Sequence, residues 1–211
     1  MRVFHFRSVK YGLKSLEERR LKISRIHELN DPFEILGANL SNRDFRRVMN
    51  DTKREISKTN GLLCFSKNWQ NPVQWSHYAD NHRGVCLEFD VPDDHLEKVD
   101  YVKERLDYGN TIDLEIMKKY LKTKFEHWSY EEEYRAFISL DPAEEEDGKY
   151  FFNFGEELKL RTVIVGCLSA ITRKQIADVL IGLEGNVEYF KARAGFTRFE
   201  VVRNQNDKLW T

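Results

Sequence analysis

The sequence predicts a single α+β domain over residues 1–211, in which helices flank a central mixed or antiparallel sheet. Strand-like apolar runs and amphipathic helical patterns alternate irregularly, and several neighbouring strands are joined by short connections. No repeat or linker divides the chain. Its 211 residues are 41% hydrophobic and 33% charged, so the chain can bury one core beneath a charged surface.

The chain opens with a strand over residues 2–7, predicted from the apolar Phe4 and Phe6. Leucines at helical spacing predict a helix over residues 11–20. The alternation that follows predicts a second strand over residues 21–26.

A turn is predicted at residues 27–34, because Pro32 keeps the residue before it out of helical geometry. Ser41, with an acidic residue three positions later, resembles a capping box and starts a helix over residues 42–58. An apolar run predicts a buried strand over residues 62–65.

The middle of the chain predicts two helices and two strands. A helix is predicted over residues 72–82, and Gly84 terminates it. An apolar strand over residues 85–89 follows. A short strand over residues 99–102 follows, and a long amphipathic helix is predicted over residues 112–128.

The last third of the chain is predicted to be mainly strands. Thr172 and Gln175 form a capping box before its helix. The predicted elements are a strand at 134–140, an acidic turn at 144–148, strands at 150–154 and 162–165, the helix at 173–183, and strands at 187–191 and 199–203.

The net charge of −1 conceals a strong asymmetry. Residues 1–58 carry 14 Lys and Arg against 8 Asp and Glu, whereas residues 88–157 carry 9 against 21. Two interpretations remain open. The charges belong to solvated helix faces, or the basic N-terminal region binds a polyanion such as nucleic acid.

Composition predicts a cytoplasmic protein without a membrane partner. No apolar run approaches the roughly 18 residues that a membrane-spanning helix requires, and the first residues lack the apolar core of a signal peptide. The three cysteines, Cys64, Cys86 and Cys167, are widely spaced in apolar runs, which indicates reduced core residues.

Standard catalytic signatures are absent from the sequence. It contains no glycine-rich phosphate loop, no G-x-G-x-x-G after a strand, no H-E-x-x-H, no paired C-x-x-C and no G-x-S-x-G. The sequence therefore does not favour a kinase, a Rossmann dehydrogenase, a zinc hydrolase or a serine hydrolase. It also predicts no metal site from these signatures.

Two polar segments in the N-terminal part are candidates for a site. His5 and Arg7 share one face of the opening strand, although an edge-strand His or Arg is often only solvated. Asn30 and Asp31 lie in the rigid turn before Phe33, which is expected to anchor the turn in the core. The same side chains also suit simple turn and cap chemistry.

Two later segments carry aromatic and acidic residues. Ser66 directly follows a buried strand. Trp75, Tyr78 and His82 would share one face of the helix over residues 72–82, either in the core or lining a pocket for a planar ligand.

The acidic segment begins after Trp128. If Glu131, Glu133 and Arg135 enter a strand, alternation places all three on one face, where buried carboxylates need a compensating charge. A surface acidic run is the alternative.

These segments, in this order, resemble the domain-of-unknown-function 2971 family, which is bacterial and phage-associated. Its members show an aromatic-Lys-Tyr-Arg-Ser strand, a Leu-Asn-Asp-Pro-Phe-Glu turn, a Cys-Phe-Ser strand, a Met-Trp-x-x-Tyr-Ala-x-x-His-x-Gly helix and a Glu-x-Glu-Tyr-Arg strand. The corresponding segments here are residues 4–8, 29–34, 64–66, 75–84 and 131–135. This chain departs from the pattern at His5, where lysine is usual, and at Gln74, where methionine is usual.

The layout is also similar to that of ADP-ribosyltransferases, which place a His or Arg on the first strand and a glutamate on a late strand. This similarity implies an ADP-ribosyltransferase-like fold and an enzyme that transfers from NAD through an oxocarbenium-like state. Its target would be a nucleic acid or a protein in phage–host conflict. The catalytic candidates are Glu133, Glu131, Tyr78 and His82, and the NAD-binding candidates are His5, Arg7, Asn30, Asp31, Ser66, Trp75 and Arg135.

Within this hypothesis, Glu133 is the catalytic carboxylate, Tyr78 and Trp75 stack on the nicotinamide, and His5 or Arg7 anchors the dinucleotide. A metal-dependent nuclease is the first alternative, with ligands drawn from Asp31, Glu34, Glu131, Glu133 and His82. A non-enzymatic sensor of a nucleotide or a phage component is the second.

Overall fold

A mixed sheet runs through the protein and is flanked by helices, which confirms the predicted architecture. The computed structural model describes residues 1–34, 37–109, 113–183, 185–206, 208 and 210. The helices are α1 (Val9–Glu18), α2 (Arg43–Thr59), α3 (Pro72–Tyr78), α4 (Leu114–Leu121) and α5 (Arg173–Leu180), with 3-10 helices at Ile26–Glu28, Asp93–His95 and Glu126–Glu131.

The strands match most of the predicted positions to within three residues. They are β1 (Arg2–Arg7), β2 (Arg20–Arg25), β3 (Asn60–Ser66), β4 (Val85–Asp90), β5 (Glu97–Lys98), β6 (Asp100–Val102), β7 (Thr123–Phe125), β8 (Glu133–Ser139), β9 (Glu144–Glu146), β10 (Lys149–Asn153), β11 (Lys159–Val165), β12 (Glu188–Ala194) and β13 (Val201–Arg203).

The sheet order is β13-β12-β11-β4-β1-β3-β2-β10-β9, with β8 paired to β3 and β5 paired to β8. Its pairs are antiparallel except for the parallel pair of β11 and β12. Strands β6 and β7 form a separate two-stranded parallel sheet.

Strand β3 has three neighbours, and this produces a fork in the sheet. Strand β8 pairs with β3 along its whole length and occupies one edge. On the other edge, β1 pairs only near Ser66, whereas β2 pairs near Gly61 and Leu62. Strands β1 and β2 therefore diverge along the middle of β3, and the space between them becomes available for a site.

Apolar side chains from several strands form the core beneath this fork. Val3, Leu21, Leu63, Leu87 and Val163 are almost completely buried in one cluster. Helix α1 packs against β1, β2, β4 and α5, while α3 lies against β1. The hydrophobic effect thus fixes β1, the strand that presents His5 and Arg7, between two packed layers.

Two predicted helices are shorter in the structure. Helix α3 ends at Tyr78 rather than residue 82, because Asp80, Asn81 and His82 adopt left-handed φ values of 50°, 50° and 67°. The following Gly84 approaches β1 so closely that a Cβ atom there would lie 2.0 Å from the Arg7 carbonyl oxygen.

The helix predicted over residues 112–128 is also corrected. Helix α4 ends at Leu121, and the Thr123 hydroxyl donates to the Lys119 carbonyl at 2.6 Å while the chain enters β7. The predicted helix extended past this point because β7 and the following 3-10 helix also contain apolar residues at similar spacing. The first predicted residue, Ile112, lies outside the described residues.

Three smaller predictions are also corrected. Asn42 caps α2, not Ser41, because its side chain accepts from the amides of Asp44 and Phe45. The predicted acidic turn over residues 144–148 includes strand β9, and the turn itself lies at Asp147 and Gly148. Phe33 does not anchor its turn, since its side chain is 61% exposed.

In the described part of the chain, no helix is long and apolar enough to cross a membrane. The three cysteines are free thiols, and Cys86 is buried.

Candidate functional site

The fork encloses a cavity of about 260 Å³ between β1 and the middle of β3. Strand β8, helix α3, strand β7 and the turn before residue 35 complete its lining. Eight of the predicted site residues line this cavity: His5, Arg7, Asn30, Ser66, Tyr78, Glu131, Glu133 and Arg135. The sheet topology thus brings together groups that lie up to 130 positions apart in sequence.

One wall of the cavity is a cluster of buried charges, here called the ion cluster. Its members are Glu34, Lys124, Glu131, Glu133 and Arg135. Lys124 Nζ lies 2.6 Å from Glu131 Oε2, 3.1 Å from Glu133 Oε2 and 3.8 Å from Glu34 Oε2. The lysine therefore stands between three carboxylates.

Arg135 holds the other side of the ion cluster. Its Nε and Nη2 donate to Glu133 at 2.8 and 3.0 Å, forming a two-pronged contact, and Nη2 also donates to Glu34. Its Nη1 donates to the Leu121 carbonyl at 2.7 Å. Two cations thus face three carboxylates, and each cation is hydrogen-bonded, which is the condition for burying charge.

The carboxylates differ in their protonation preferences. Burial favours the neutral form of Glu133, but the charge and hydrogen bonds of Arg135, together with Lys124, lower the pKa of Glu133 to about 2. Burial raises the pKa of Glu131 above its usual range, even though Lys124 opposes the shift. Glu133 is therefore a fixed anion, whereas burial makes Glu131 readier than a solvated glutamate to accept a proton.

Lys124 remains charged despite its burial. Burial alone would lower the pKa of Lys124, but the surrounding carboxylates outweigh that effect and raise it. Burial raises the pKa of Glu34, while Arg135 and Lys124 oppose the shift. The ion cluster is consequently held together by charges that depend on one another.

A hydrogen-bond chain reaches from the cavity rim to Glu131. Asn30 Nδ2 donates to the Tyr78 hydroxyl at 3.0 Å, and that hydroxyl donates to Glu131 Oε1. Burial, followed by the nearby Glu131 charge, raises the pKa of Tyr78 well above its usual range, so the phenol keeps its proton. Tyr78 thus orients Glu131, whereas Arg135 holds the other two carboxylates of the ion cluster.

The opposite wall carries two polar side chains, His5 and Arg7, that are only partly satisfied by hydrogen bonds within the described residues. His5 Nδ1 lies 2.8 Å from the Cys64 carbonyl oxygen, which can only accept, so Nδ1 carries the proton and Nε2 keeps a lone pair. His5 Nε2 and Arg7 Nε are buried, and neither has a hydrogen-bond partner among the described residues. Arg7 forms no ion pair within the described ranges. Its Nη2 makes one long contact, 3.4 Å, with the Lys22 carbonyl.

The state of His5 leads to a testable dependence of stability on pH. Burial, helped by the Arg7 charge, lowers the pKa of His5 to about 3. Between about pH 6.5 and 3 the unfolded chain protonates this histidine while the folded chain does not. This group therefore lowers the free energy of unfolding as the pH falls, by up to about 1.4 kcal/mol per pH unit.

We expect His5→Gln to lose less stability than the wild type on acidification from pH 7 to 4.5, measured by urea denaturation. The difference between the two proteins isolates His5 from the carboxylates that titrate in the same range. His95→Gln, at an exposed position, is the control and should follow the wild type. Parallel curves for His5→Gln and wild type would refute a buried neutral imidazole.

Three predicted site residues lie outside the cavity lining. Trp75 is fully buried, donates from Nε1 to the Trp69 carbonyl at 2.6 Å, and has no exposed face for a ligand, which corrects its predicted stacking role. His82 lies beyond α3 and stacks on Trp75 with ring centroids 6.4 Å apart. Asp31 is buried, and its Oδ1 accepts from the Phe33 amide at 2.9 Å, closing its own turn.

Sequence reasoning missed Lys124 and underrated Gln74. Lys124 lies in a short Thr-Lys-Phe strand with nothing to distinguish it from the other lysines. Gln74 is buried, and its Nε2 donates to Ser66 Oγ at 2.9 Å and to the Tyr130 carbonyl at 3.0 Å. It holds the end of β3 against the 3-10 helix that contains Glu131.

The described residues contain no group of three or more His, Cys, Asp and Glu side chains arranged to hold a metal ion. Of the proposed nuclease ligands, Asp31 and His82 lie away from the cavity, and the three glutamates are engaged by Lys124 and Arg135. The donor set that the structure brings together is therefore one of paired charges and does not match that of a metal centre.

One comparison with known proteins gives a match. Residues 74–136 match the model of a family described as a protein of unknown function (DUF2971). The assignment made from the motifs is thus confirmed over this segment, which contains most of α3 and the start of β8. No curated protein and no solved structure matches the chain.

Proposed function

We propose that this chain is an ADP-ribosyltransferase-like enzyme that binds NAD in the cavity at the fork. One observation carries the proposal: the cavity sets an arginine with no carboxylate partner among the described residues opposite a carboxylate oriented by a tyrosine. Arg7 and His5 supply the first wall, and Tyr78 and Glu131 supply the second.

The unpartnered atoms fit two parts of this ligand. A guanidinium whose buried Nε–H is unused favours a phosphate group, and Arg7 would therefore hold the pyrophosphate. The lone pair on His5 Nε2 would accept from a ribose hydroxyl. A cavity of about 260 Å³ encloses roughly one half of a dinucleotide, and the other half would lie over the rim near Asn30.

The second wall supports the chemistry. NAD supplies a glycosidic bond to nicotinamide whose cleavage develops positive charge on the ribose. Glu131 would stabilise that charge, since Tyr78 and Lys124 position its carboxylate. Glu133, in contrast, is held by Arg135 through two hydrogen bonds. Its raised pKa also suits it to receive a proton from the acceptor. This assignment moves the central role from Glu133, the carboxylate expected from the sequence, to its neighbour.

The acceptor in this proposal is a nucleic acid or a protein, and the setting is the cytoplasm during phage–host conflict. A sensor that binds the same ligand without turning it over is the second candidate. The unused nitrogens of Arg7 and His5 favour ligand binding both for a transferase and for a sensor. Release of nicotinamide therefore distinguishes the two candidates.

We expect titration calorimetry to detect NAD binding and chromatography to detect slow release of nicotinamide. Arg7→Gln should weaken NAD binding about tenfold or more, because a hydrogen bond to a charged group contributes about 1.5–3 kcal/mol. Arg2→Gln is the matched control, since Arg2 lies on the same strand but is exposed and outside the cavity. An unchanged NAD affinity in Arg7→Gln, or no binding to the wild type, would refute the proposal.

A further inference from the structure

The exposed face of α2 carries a row of arginines. Arg43, Arg47, Asn50 and Arg54 recur every three or four residues and therefore lie along one side of the helix. All four are exposed, and Arg46 stands beside them. Together they line a shallow groove on the helix surface.

This row keeps a net positive charge. Arg54 Nη2 lies 3.3 Å from Asp51, but both side chains are exposed, and such pairs contribute little. Arg46 donates from Nη1 to the Leu40 carbonyl at 2.7 Å, which leaves its charge unneutralised. Arg43 and Arg47 form no ion pair among the residues for which the structure gives positions.

We infer that this face of α2 binds the phosphate backbone of a nucleic acid. The cations are arginines, whose planar guanidinium groups match phosphate oxygens in a two-pronged geometry. From Arg43 to Arg54 the helix rises about 16 Å, a length that spans several phosphates of one strand.

The other face of α2 excludes a bilayer as the partner. Phe45 and Met49 pack into the domain with Tyr120, so the helix has no continuous apolar face to enter a membrane. Helix α2 carries six Lys and Arg against three Asp and Glu, which is half of the basic excess of the first 58 residues.

The position of α2 links this surface to the cavity. Lys53, on the same helix, donates to the Glu34 carbonyl at 2.6 Å, and the Glu34 side chain lines the cavity. Helix α2 also packs on the 3-10 helix that ends at Glu28, another lining residue. A nucleic acid on α2 therefore lies beside the rim and would be the acceptor class of the transferase, a role that rests on the proposed function.

The test is fluorescence polarisation with short labelled single-stranded and double-stranded oligonucleotides over a series of salt concentrations, without NAD. The variant R43Q/R47Q removes two charges that make no ion pair in the described part of the chain. The matched control K10Q/K174Q removes two exposed charges from α1 and α5. Thermal melts confirm that both variants fold, as expected for exposed positions.

The wild type and the control should bind with the same salt dependence. For R43Q/R47Q the affinity should fall at least tenfold, and the slope of log K against log salt for single strands should decrease in magnitude by about 1.4. Absence of oligonucleotide binding in the wild type, or unchanged binding by R43Q/R47Q, would overturn the inference. Tighter binding of labelled polyglutamate would also overturn it, because the surface would then fit an acidic protein.

Calorimetry with NAD on the same variants separates this inference from the proposed function. We expect R43Q/R47Q to bind NAD like the wild type, since neither arginine lines the cavity. If the wild type binds oligonucleotides through α2 but does not bind NAD, the surface stands and the transferase proposal fails.

Discussion

Arg135→Leu should lower the free energy of unfolding by about 3–5 kcal/mol, the largest stability change that we expect from a single substitution. Arg135 is almost completely buried and holds both Glu133 and Glu34, so its removal leaves all three carboxylates of the ion cluster to share Lys124. Because domains of this size are stable by only about 5–15 kcal/mol, the variant should melt far below the wild type. Urea denaturation monitored by circular dichroism measures the change.

Arg161→Leu provides the control for that experiment. Arg161 also lies on a strand and donates to Asp90 at 2.5 Å, but both side chains are more than 30% exposed. This pair should contribute no more than about 1 kcal/mol, since water screens it. Similar losses in the two variants would show that Arg135 is an ordinary structural arginine and that the ion cluster is not a mutually dependent unit.

Glu131→Gln should reduce nicotinamide release by about 100-fold or more while NAD binding and melting temperature change little. The expected loss corresponds to removing a positioned charge or base from the reacting centre. The fold should survive because burial already disfavours the charged form of Glu131, and glutamine can still accept from Tyr78. Chromatography, calorimetry and thermal melts on one protein preparation give all three quantities.

Glu133→Gln is the matched comparison and should show the opposite behaviour. Its charge is stabilised by Arg135 and Lys124, so a neutral amide loses that stabilisation and leaves Arg135 poorly paired. We expect a clear fall in melting temperature. A stable but inactive Glu133→Gln protein, together with an active Glu131→Gln protein, would return the central role to Glu133.

Much of the sheet was predictable because strand patterns depend on local alternation. His5 and Arg7 share a face of β1 as expected, and Glu133 and Arg135 share a face of β8. Glu131 reaches the same cavity by another route, since it ends a 3-10 helix and Glu132 adopts a left-handed φ of 45°.

The remaining differences come from tertiary structure. Asp31 and Glu34 are 4% and 3% exposed while Phe33 is 61% exposed, the reverse of what hydrophobicity predicts. Arg135, which lies about 100 positions later in the chain, holds the Glu34 side chain in the interior through an ion pair. The Asp31 carboxylate closes the turn by accepting from the Phe33 amide. No local pattern contains that information.

Helix ends and the lysine of the ion cluster were unpredictable for related reasons. Helix α3 stops at Tyr78 because residues 80–82 must turn to let Gly84 meet β1, a contact that the helical pattern of this segment does not report. Lys124 becomes special only when β7 places it between three carboxylates contributed by other parts of the chain.

The fork in the sheet has a consequence for how such a protein can evolve. The space at the site exists because β1 and β2 meet β3 at Ser66 and at Leu62, so its width is set by the four-residue step between these positions, about 14 Å of strand. Substitutions of residues that line the cavity change which ligand it accepts, and they leave the space between β1 and β2 in place. New specificities are therefore accessible by point mutation, whereas a change in the step between the two pairings requires an insertion or deletion within β3 itself.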